Sequence, residues 1–335
     1  MDTGYILNKF GINEMPISFK KLTSGNINST FLAEFKNRKI VIQSLNRNVF
    51  KNCYDVMNNI SIVNEIFDKY QKNDVAAVKF HTALSGVNYI EHEESMYRIC
   101  DYISEDNSDN ALFLTGFAYG KFIKIINTNS DNIKKFRNTI SDFHNYSSYL
   151  QRLINNPDSS MISRIILLRL SSLENVLSTT FDSDLKRRIT HNDAKADNVI
   201  IGSTVTVIDL DTVMEGYVAI DYGDTIRSFT ADNLSFDIIQ SITEGYAKGL
   251  DGLLDAREIA SLYYGILYVT AELAVRYFSD YIGSTDYFKT KTPSMCQIRA
   301  QQLINQLDFF LKYEGIIKRI INNSFKTVAY NHTSA

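Results

Sequence analysis

Ile189-Thr190-His191-Asn192-Asp193-Ala194-Lys195-Ala196-Asp197-Asn198-Val199-Ile200-Ile201, ITHNDAKADNVII, is followed within a few residues by Val207-Ile208-Asp209-Leu210-Asp211-Thr212, VIDLDT. A polar loop leads into two short apolar, strand-like runs, Val199–Ile201 and Val205–Ile208, and the second run ends on an aspartate. Strands hold such polar groups in place while leaving their heads in a cleft, which is how sites are built. Each part alone is ordinary. Asp-x-x-x-x-Asn is common in polar loops, and a strand-terminal aspartate is more often a turn residue or helix cap than a ligand. Lys195 alone reads as a solvated loop lysine, and His191 as a packed residue that steadies the loop. The reading rests on their order and spacing together.

That order matches the needs of phosphoryl transfer: a carboxylate for the nucleophile's proton, oxygen ligands for Mg²⁺, and cations or amides for the phosphates. Asp193 serves as the base. Asn198, five residues on, offers an amide oxygen, and Asp209 offers a carboxylate; both suit a hard cation such as Mg²⁺. Lys195 sits two residues after the base, where its charge can meet the transferred group.

Bulk composition bounds the rest. The chain has 335 residues, 44% hydrophobic and 22% charged, with 20 Tyr, 20 Phe and no Trp. Its net charge of -3 argues for neither a nucleic-acid partner nor an anionic membrane. The three cysteines, Cys53, Cys100 and Cys296, are widely spaced and form no CxxC pair, so a reducing, cytoplasmic setting is expected rather than a disulfide framework. The opening MDTGYILNKF lacks a signal-peptide pattern, and the longest apolar run, Ile259 to Ala271, stops at Glu272, too short to span a bilayer.

Three prolines and no low-complexity linker interrupt the chain, yet its pattern changes part-way along. From Pro16 to about Asp101 the sequence reads as strands: ISFKKL, TFLAEF, IVIQSL and MYRICDYI, with a helix over Tyr54–Tyr70 whose Val56, Ile60, Val63, Ile66 and Phe67 recur at helical spacing. Helices are expected thereafter over Asp131–Leu153, Met161–Leu177, Phe236–Gly249, Ala256–Tyr281 and Cys296–Ile321. The fold class is therefore α+β and bilobal, kinase-like. A small β-rich N-lobe over residues 1–103 would hold nucleotide, and a larger helical C-lobe over 104–335 would carry the catalytic loop and the acceptor.

THNDAKADNVI, VIDLDTVMEG and DYGDTIR resemble the aminoglycoside phosphotransferase and choline kinase superfamily, within it most closely the N-acetylhexosamine 1-kinases. LTSGNINSTF (Leu22–Phe31) is similar to that group's glycine loop, IVIQSLNRNVF (Ile40–Phe50) to its third strand and ISDFHN (Ile140–Asn145) to its substrate-side helix. ELAVRYFSDYIGSTDYFKT (Glu272–Thr290) and RAQQLINQL (Arg299–Leu307) are similar to its C-terminal helices. The resemblance implies an ATP- and Mg²⁺-dependent sugar kinase, with Asp193 as base and Asn198 and Asp209 as metal ligands. It further implies Asp211 near the sugar or a second metal, and Asp221 and Asp224 as helix-start aspartates that cap amides and hold the loop.

Two departures from the protein-kinase pattern concern the nucleotide. The loop holds one glycine, Gly25, so phosphate contact would fall to Ser24, Asn26, Asn28, Ser29 and Thr30. The third strand carries Gln43 where a kinase has its phosphate-binding lysine, leaving neutralisation to Mg²⁺, Lys195 and Lys39. Glu65 on the following helix then lacks its lysine partner and reads as a surface residue. On the acceptor side, His144 is expected on a helix, and Arg276 on another, where it either meets substrate or pairs with Asp280 one turn on. The alternatives left open are another acceptor (choline, methylthioribose or an aminoglycoside) and a nucleotide-binding pseudokinase. The sequence leaves the oligomeric state open.

Overall fold

The computed structural model describes residues 1–22, 27–70, 74–128, 133–285, 287–288 and 292–333. Ser24, Gly25 and Asn26 of the expected nucleotide loop lie outside the described residues. The chain opens with helix α1 (Thr3–Lys9) and then builds a five-stranded antiparallel sheet from β1 (Ser18–Leu22), β2 (Ser29–Glu34), β3 (Lys39–Ser44), β5 (Ile90–His92) and β6 (Ser95–Asp101), in the order β1-β2-β3-β6-β5. Helix α2 (Cys53–Lys69) and the short strand β4 (Val75–Ala77) intervene.

Side-chain alternation gives the sheet two working faces. Ile40 and Ile42 of β3, with Tyr97 and Ile99 of β6, pack under Ile6, Leu7 and Phe10 of α1. The other face presents Met96 and Cys100 to Val56, Met57, Ile60 and Val63 of α2. Arg98 shares the parity of Met96 and Cys100, and β3–β6 pairing sets it opposite Gln43. A charged residue is thereby placed inside an otherwise apolar layer.

The remainder is mainly helical: α3 (Ala111–Ile126), α4 (Tyr146–Ile154), α5 (Arg164–Thr180), α6 (Val218–Phe229), α7 (Phe236–Leu250), α8 (Ala256–Tyr281), α9 (Pro293–Lys312) and α10 (Glu314–Thr333). Among them sit two small sheets, with β7 (Arg188–Thr190) antiparallel to β10 (Met214–Gly216), and β9 (Val205–Val207) between β4 and β8 (Val199–Ile201). The β4–β9 pairing ties the segment after α2 to the strand that leads into Asp209. Among the described residues no helix is long and apolar enough to cross a membrane.

Three expectations need correction. Among the described residues of the helix expected over Asp131–Leu153, Ile133 is helical, turns and bends follow, and a regular helix resumes only at Tyr146, running to Ile154. Asp142 and His144 take left-handed backbone (φ 55° and 54°), and the Asn145 side chain accepts the Ser148 amide as the cap of α4. His144 thus lies in a turn rather than on a helix. The run Cys296–Ile321 is broken at Tyr313 between α9 and α10. Helix α3 was not anticipated at all, because Gly116 and Gly120 lower its helical signal. The crossing explains the glycine: a Cβ on Gly116 would come within 2.1 Å of the Ile242 carbonyl oxygen on α7.

Candidate active site

The polar loop leaves β7 at Thr190 and re-enters regular structure at Val199, and most backbone groups along it have a hydrogen-bond partner. Asp221 on α6 accepts the amides of both His191 and Asn192, each at 2.7 Å. Asn192 holds left-handed backbone (φ 60°), and its amide group donates to the carbonyls of Thr190, Thr212 and Met214. Gly216 closes over this residue, where a Cβ would sit 2.4 Å from Asn192 Oδ1. Thr212 Oγ1 donates to the His191 carbonyl, Thr225 Oγ1 to that of Ala194, and Tyr119 OH to that of Lys195. His191 is buried, donates from Nε2 to the Ile208 carbonyl and has its pKa lowered by burial, so it works as a neutral strut. A left-handed non-glycine residue held by this many bonds marks a loop whose shape is over-determined.

On this frame three side chains converge. Lys195 Nζ donates to Asp193 Oδ2 at 2.6 Å, and Asn198 Nδ2 donates to the same oxygen at 3.0 Å. The Asp193 and Lys195 side chains remain 26% and 31% exposed, so both reach the cleft. Burial resists ionisation of Asp193, but the charge and hydrogen bond of Lys195 outweigh it and hold the carboxyl below its usual range. Burial also works against the Lys195 charge, yet Asp193 and Asp209 carry its pKa well above the ordinary value.

Asp209 follows β9 in left-handed backbone (φ 57°, ψ 57°). Burial, with the charges of Asp211 and Asp193 close by, pushes its carboxyl up to about 7. It is a carboxylate short of positive charge and accepts no hydrogen bond from the described residues. Asn198 spends its amide nitrogen on Asp193, leaving its oxygen as the available donor atom. The pair therefore fits a hard divalent cation, and in character it is the sparse set that leaves other positions to nucleotide oxygens and water. No cluster of three or more His, Cys, Asp or Glu side chains forms a metal cage among the described residues.

Asp209→Asn tests this fit without turnover. Asparagine tolerates left-handed backbone, and the substitution removes a repelled charge, so the variant is expected to melt at or above the wild-type temperature. Mg²⁺ with ADP should raise the melting temperature of the wild type by a few degrees and leave the variant unmoved. An equal Mg²⁺-dependent rise in both would remove Asp209 from the metal site.

The other expected site residues are placed differently. Asp211 is 2% exposed and its oxygens are occupied: Oδ1 takes Arg98 Nη1 at 2.6 Å and Oδ2 takes Asn28 Nδ2 at 2.6 Å. Both of its oxygens are thus engaged within the protein. Asn28 is likewise engaged, accepting the Asn46 amide at its own oxygen. Gln43 accepts Arg98 Nε at 2.9 Å and lies 3.4 Å from Thr30 Oγ1 across the β2–β3 pair, with Ser29 beside it. Lys39 lies at the opposite end of β3 from Gln43, in an ion pair with Glu34. Glu65 is exposed. Arg276 pairs with Glu272 rather than Asp280, and its guanidinium lies 3.8 Å from the Tyr287 ring centroid. Asp280 instead accepts the amides of Tyr287 and Phe288. His144 is tied to Glu272 and to the Asn192 carbonyl. Asp221 holds the loop amides, whereas Asp224 is paired with Arg227.

The residue that sequence reading passed over is Arg98. It is wholly buried, 4.3 Å from the Phe80 ring centroid, and joins Gln43 of the sheet to Asp211 near Asp209. Its signal was legible: one arginine in the apolar run MYRIC, and one spare aspartate in VIDLDT, each needing a partner if buried. Asn127 was also missed; its side chain exchanges two hydrogen bonds with the Ile189 backbone and fixes β7. Arg188 makes a bidentate pair with Glu258 in the capping box of α8.

Residues 152–257, which include the whole polar loop and the VIDLDT turn, match the family model described as phosphotransferase enzyme family. Among solved structures, an aminoglycoside phosphotransferase from Alicyclobacillus acidocaldarius superposes with a TM-score of 0.65 at 12% identity, covering 96% of this chain and 97% of that one. A microcompartment-associated aminopropanol kinase gives 0.66 at 14% identity over 90% and 93% of the two chains. An amicoumacin kinase in complex with AMP-PNP, Ca²⁺ and Ami gives 0.66 at 10% over 92% and 94%. The chain thus has the aminoglycoside-phosphotransferase fold, α+β with an N-terminal antiparallel sheet and a larger helical part, and its residues 152–257 carry the pattern of the phosphotransferase family.

Proposed function

We propose that this protein is an ATP-dependent small-molecule kinase that transfers the γ-phosphoryl group to a hydroxyl, with the anomeric hydroxyl of an N-acetylhexosamine as the preferred acceptor. The observation that carries the kinase reading is the convergence of Asp193, Lys195 and Asn198 on a rigid loop beside Asp209. Asp193 is an ionised carboxylate at the cleft, suited to orient the acceptor hydroxyl and take its proton as the new O–P bond forms. Lys195 holds its proton firmly and stabilises charge on the transferred group. Asn198 and Asp209 would hold Mg²⁺, which when bound neutralises charge on the nucleotide phosphates. Gln43, Ser29 and Thr30 line the sheet side, where ATP would lie. The division into a nucleotide lobe over 1–103 and a catalytic lobe over 104–335 belongs to the same proposal.

The sugar preference is supported by the stretches LTSGNINSTF, ISDFHN and ELAVRYFSDYIGSTDYFKT and by their likeness to N-acetylhexosamine 1-kinases. Structural neighbours named for aminopropanol and amicoumacin mark how widely acceptors vary on this fold. Phosphorus NMR of the product decides the acceptor. An acid-labile anomeric phosphate formed from N-acetylglucosamine or N-acetylgalactosamine is expected; turnover confined to choline, methylthioribose or an aminoglycoside would replace the sugar while keeping the kinase.

A further inference from the structure

We infer that His144 is a positioning residue that acts as an imidazolium, holding the Asn192–Asp193 peptide in register from a stripe of α8 formed by Tyr268, Glu272 and Arg276. The inference rests on the kinase reading and extends it to residues that touch no substrate. The first observation is geometric. His144 Nδ1 lies 2.9 Å from Glu272 Oε2 and Nε2 lies 2.9 Å from the Asn192 carbonyl oxygen. Both partners are acceptors. A neutral imidazole owns one N–H, so one of its nitrogens would turn a lone pair on an oxygen. Two protons satisfy both contacts, with the compensating charge on Glu272, which is 1% exposed.

The second observation is the frame. Tyr268, Glu272 and Arg276 recur at intervals of four along α8 and so line one face. Tyr268 OH donates to the His144 carbonyl and accepts the Tyr146 amide, pinning the left-handed turn. Glu272 fixes the ring, and Arg276 Nη1, 3.3 Å from Glu272 Oε1, fixes the carboxylate. A non-glycine residue in left-handed backbone persists only where its surroundings hold it, and here the held group is aimed at the peptide preceding the base.

The charged groups acting on the ring are Glu272 from α8, itself backed by Arg276, and Asp221 and Asp224 from α6. Burial lowers the His144 pKa, but Glu272, by charge and hydrogen bond, with the Asn192 carbonyl and Asp224, raises it to about 9. The same contacts hold Glu272 below its usual range against burial. The sign follows: the ring is charged through neutral pH. As pH rises through about 9 it loses the Nε2 proton, because Glu272 retains the one on Nδ1. The Asn192 carbonyl then faces a lone pair and the loop loosens, so kcat should fall on the alkaline side while the KM for ATP stays nearly constant.

The test combines a titration with two pH profiles. Imidazole NMR of the wild type, with the His144 signal assigned by its loss in His144→Gln among the five histidines, is expected to show a midpoint near 9. In Glu272→Gln the alkaline limb of kcat should move down by about two pH units, toward the ordinary histidine range. In His144→Gln the limb should vanish, with kcat reduced roughly 10- to 100-fold, as a slightly misplaced catalytic group produces. A wild-type midpoint below 7, or limbs unchanged in both variants despite lowered melting temperatures, would overturn the inference. A wild type that turns over no acceptor would refute the kinase reading, while the NMR midpoint would still decide the charge on His144.

Discussion

Arg98→Met should destabilise the protein by about 3–5 kcal/mol, because it leaves Asp211 as a buried carboxylate without its cation. The arginine is fully buried, its Nη1 lies 2.6 Å from Asp211 Oδ1, and its Nε holds Gln43. Methionine fills much of the same volume, so the loss reports the stranded charge more than a cavity. Asn28 still donates to Asp211, and one neutral hydrogen bond does not replace a guanidinium. Adding Asp211→Asn to Arg98→Met should recover most of the loss, since removing both charges of a buried pair costs far less than removing one. Urea unfolding of the four proteins in a double-mutant cycle measures this directly. A single-variant loss below about 1 kcal/mol would mean that Asp211 is neutral or solvated in the folded protein.

Asp193→Asn should lower kcat by about 10²- to 10⁴-fold, the range that a positioned general base contributes. The amide keeps the size of the carboxyl and can still accept from Lys195 Nζ and Asn198 Nδ2 at the retained oxygen. Folding and nucleotide affinity should therefore change little, and Kd for ADP should stay within about threefold of the wild type, a shift below 1 kcal/mol. A large loss of ADP affinity would instead indicate that the carboxylate serves nucleotide binding.

The shape of the polar loop was legible in the sequence because its parts are close in the chain and each obeys a local rule. Asp193, Lys195 and Asn198 lie within six residues, and the strand pattern on either side predicts a reversal that returns Asp209 to them. The bilobal layout was legible from the switch between period-two and helical patterning. The partners of Asp211 and His144 were not, because both lie far along the chain: Arg98 is 113 residues from Asp211, and Glu272 is 128 residues from His144. Periodicity finds a face and says nothing of which distant charge meets it. The segment before α4 misled for a different reason. Ile133, Phe136, Ile140 and Phe143 keep helical spacing, yet Asn145 caps the next helix and Asp142 and His144 take left-handed backbone. The spacing there serves partial burial of Phe136 and Ile140 against the core through turns and bends rather than one continuous helix.

The most direct test of the kinase assignment is acceptor-dependent ADP release with Mg²⁺-ATP, the wild type run beside Asp193→Asn, over N-acetylglucosamine, N-acetylgalactosamine, free hexoses, choline and an aminoglycoside. The account predicts turnover by the wild type with an N-acetylhexosamine and its near-complete loss in the variant. ATP binding with no acceptor-dependent ADP release from the wild type, or equal release from both proteins, would contradict it.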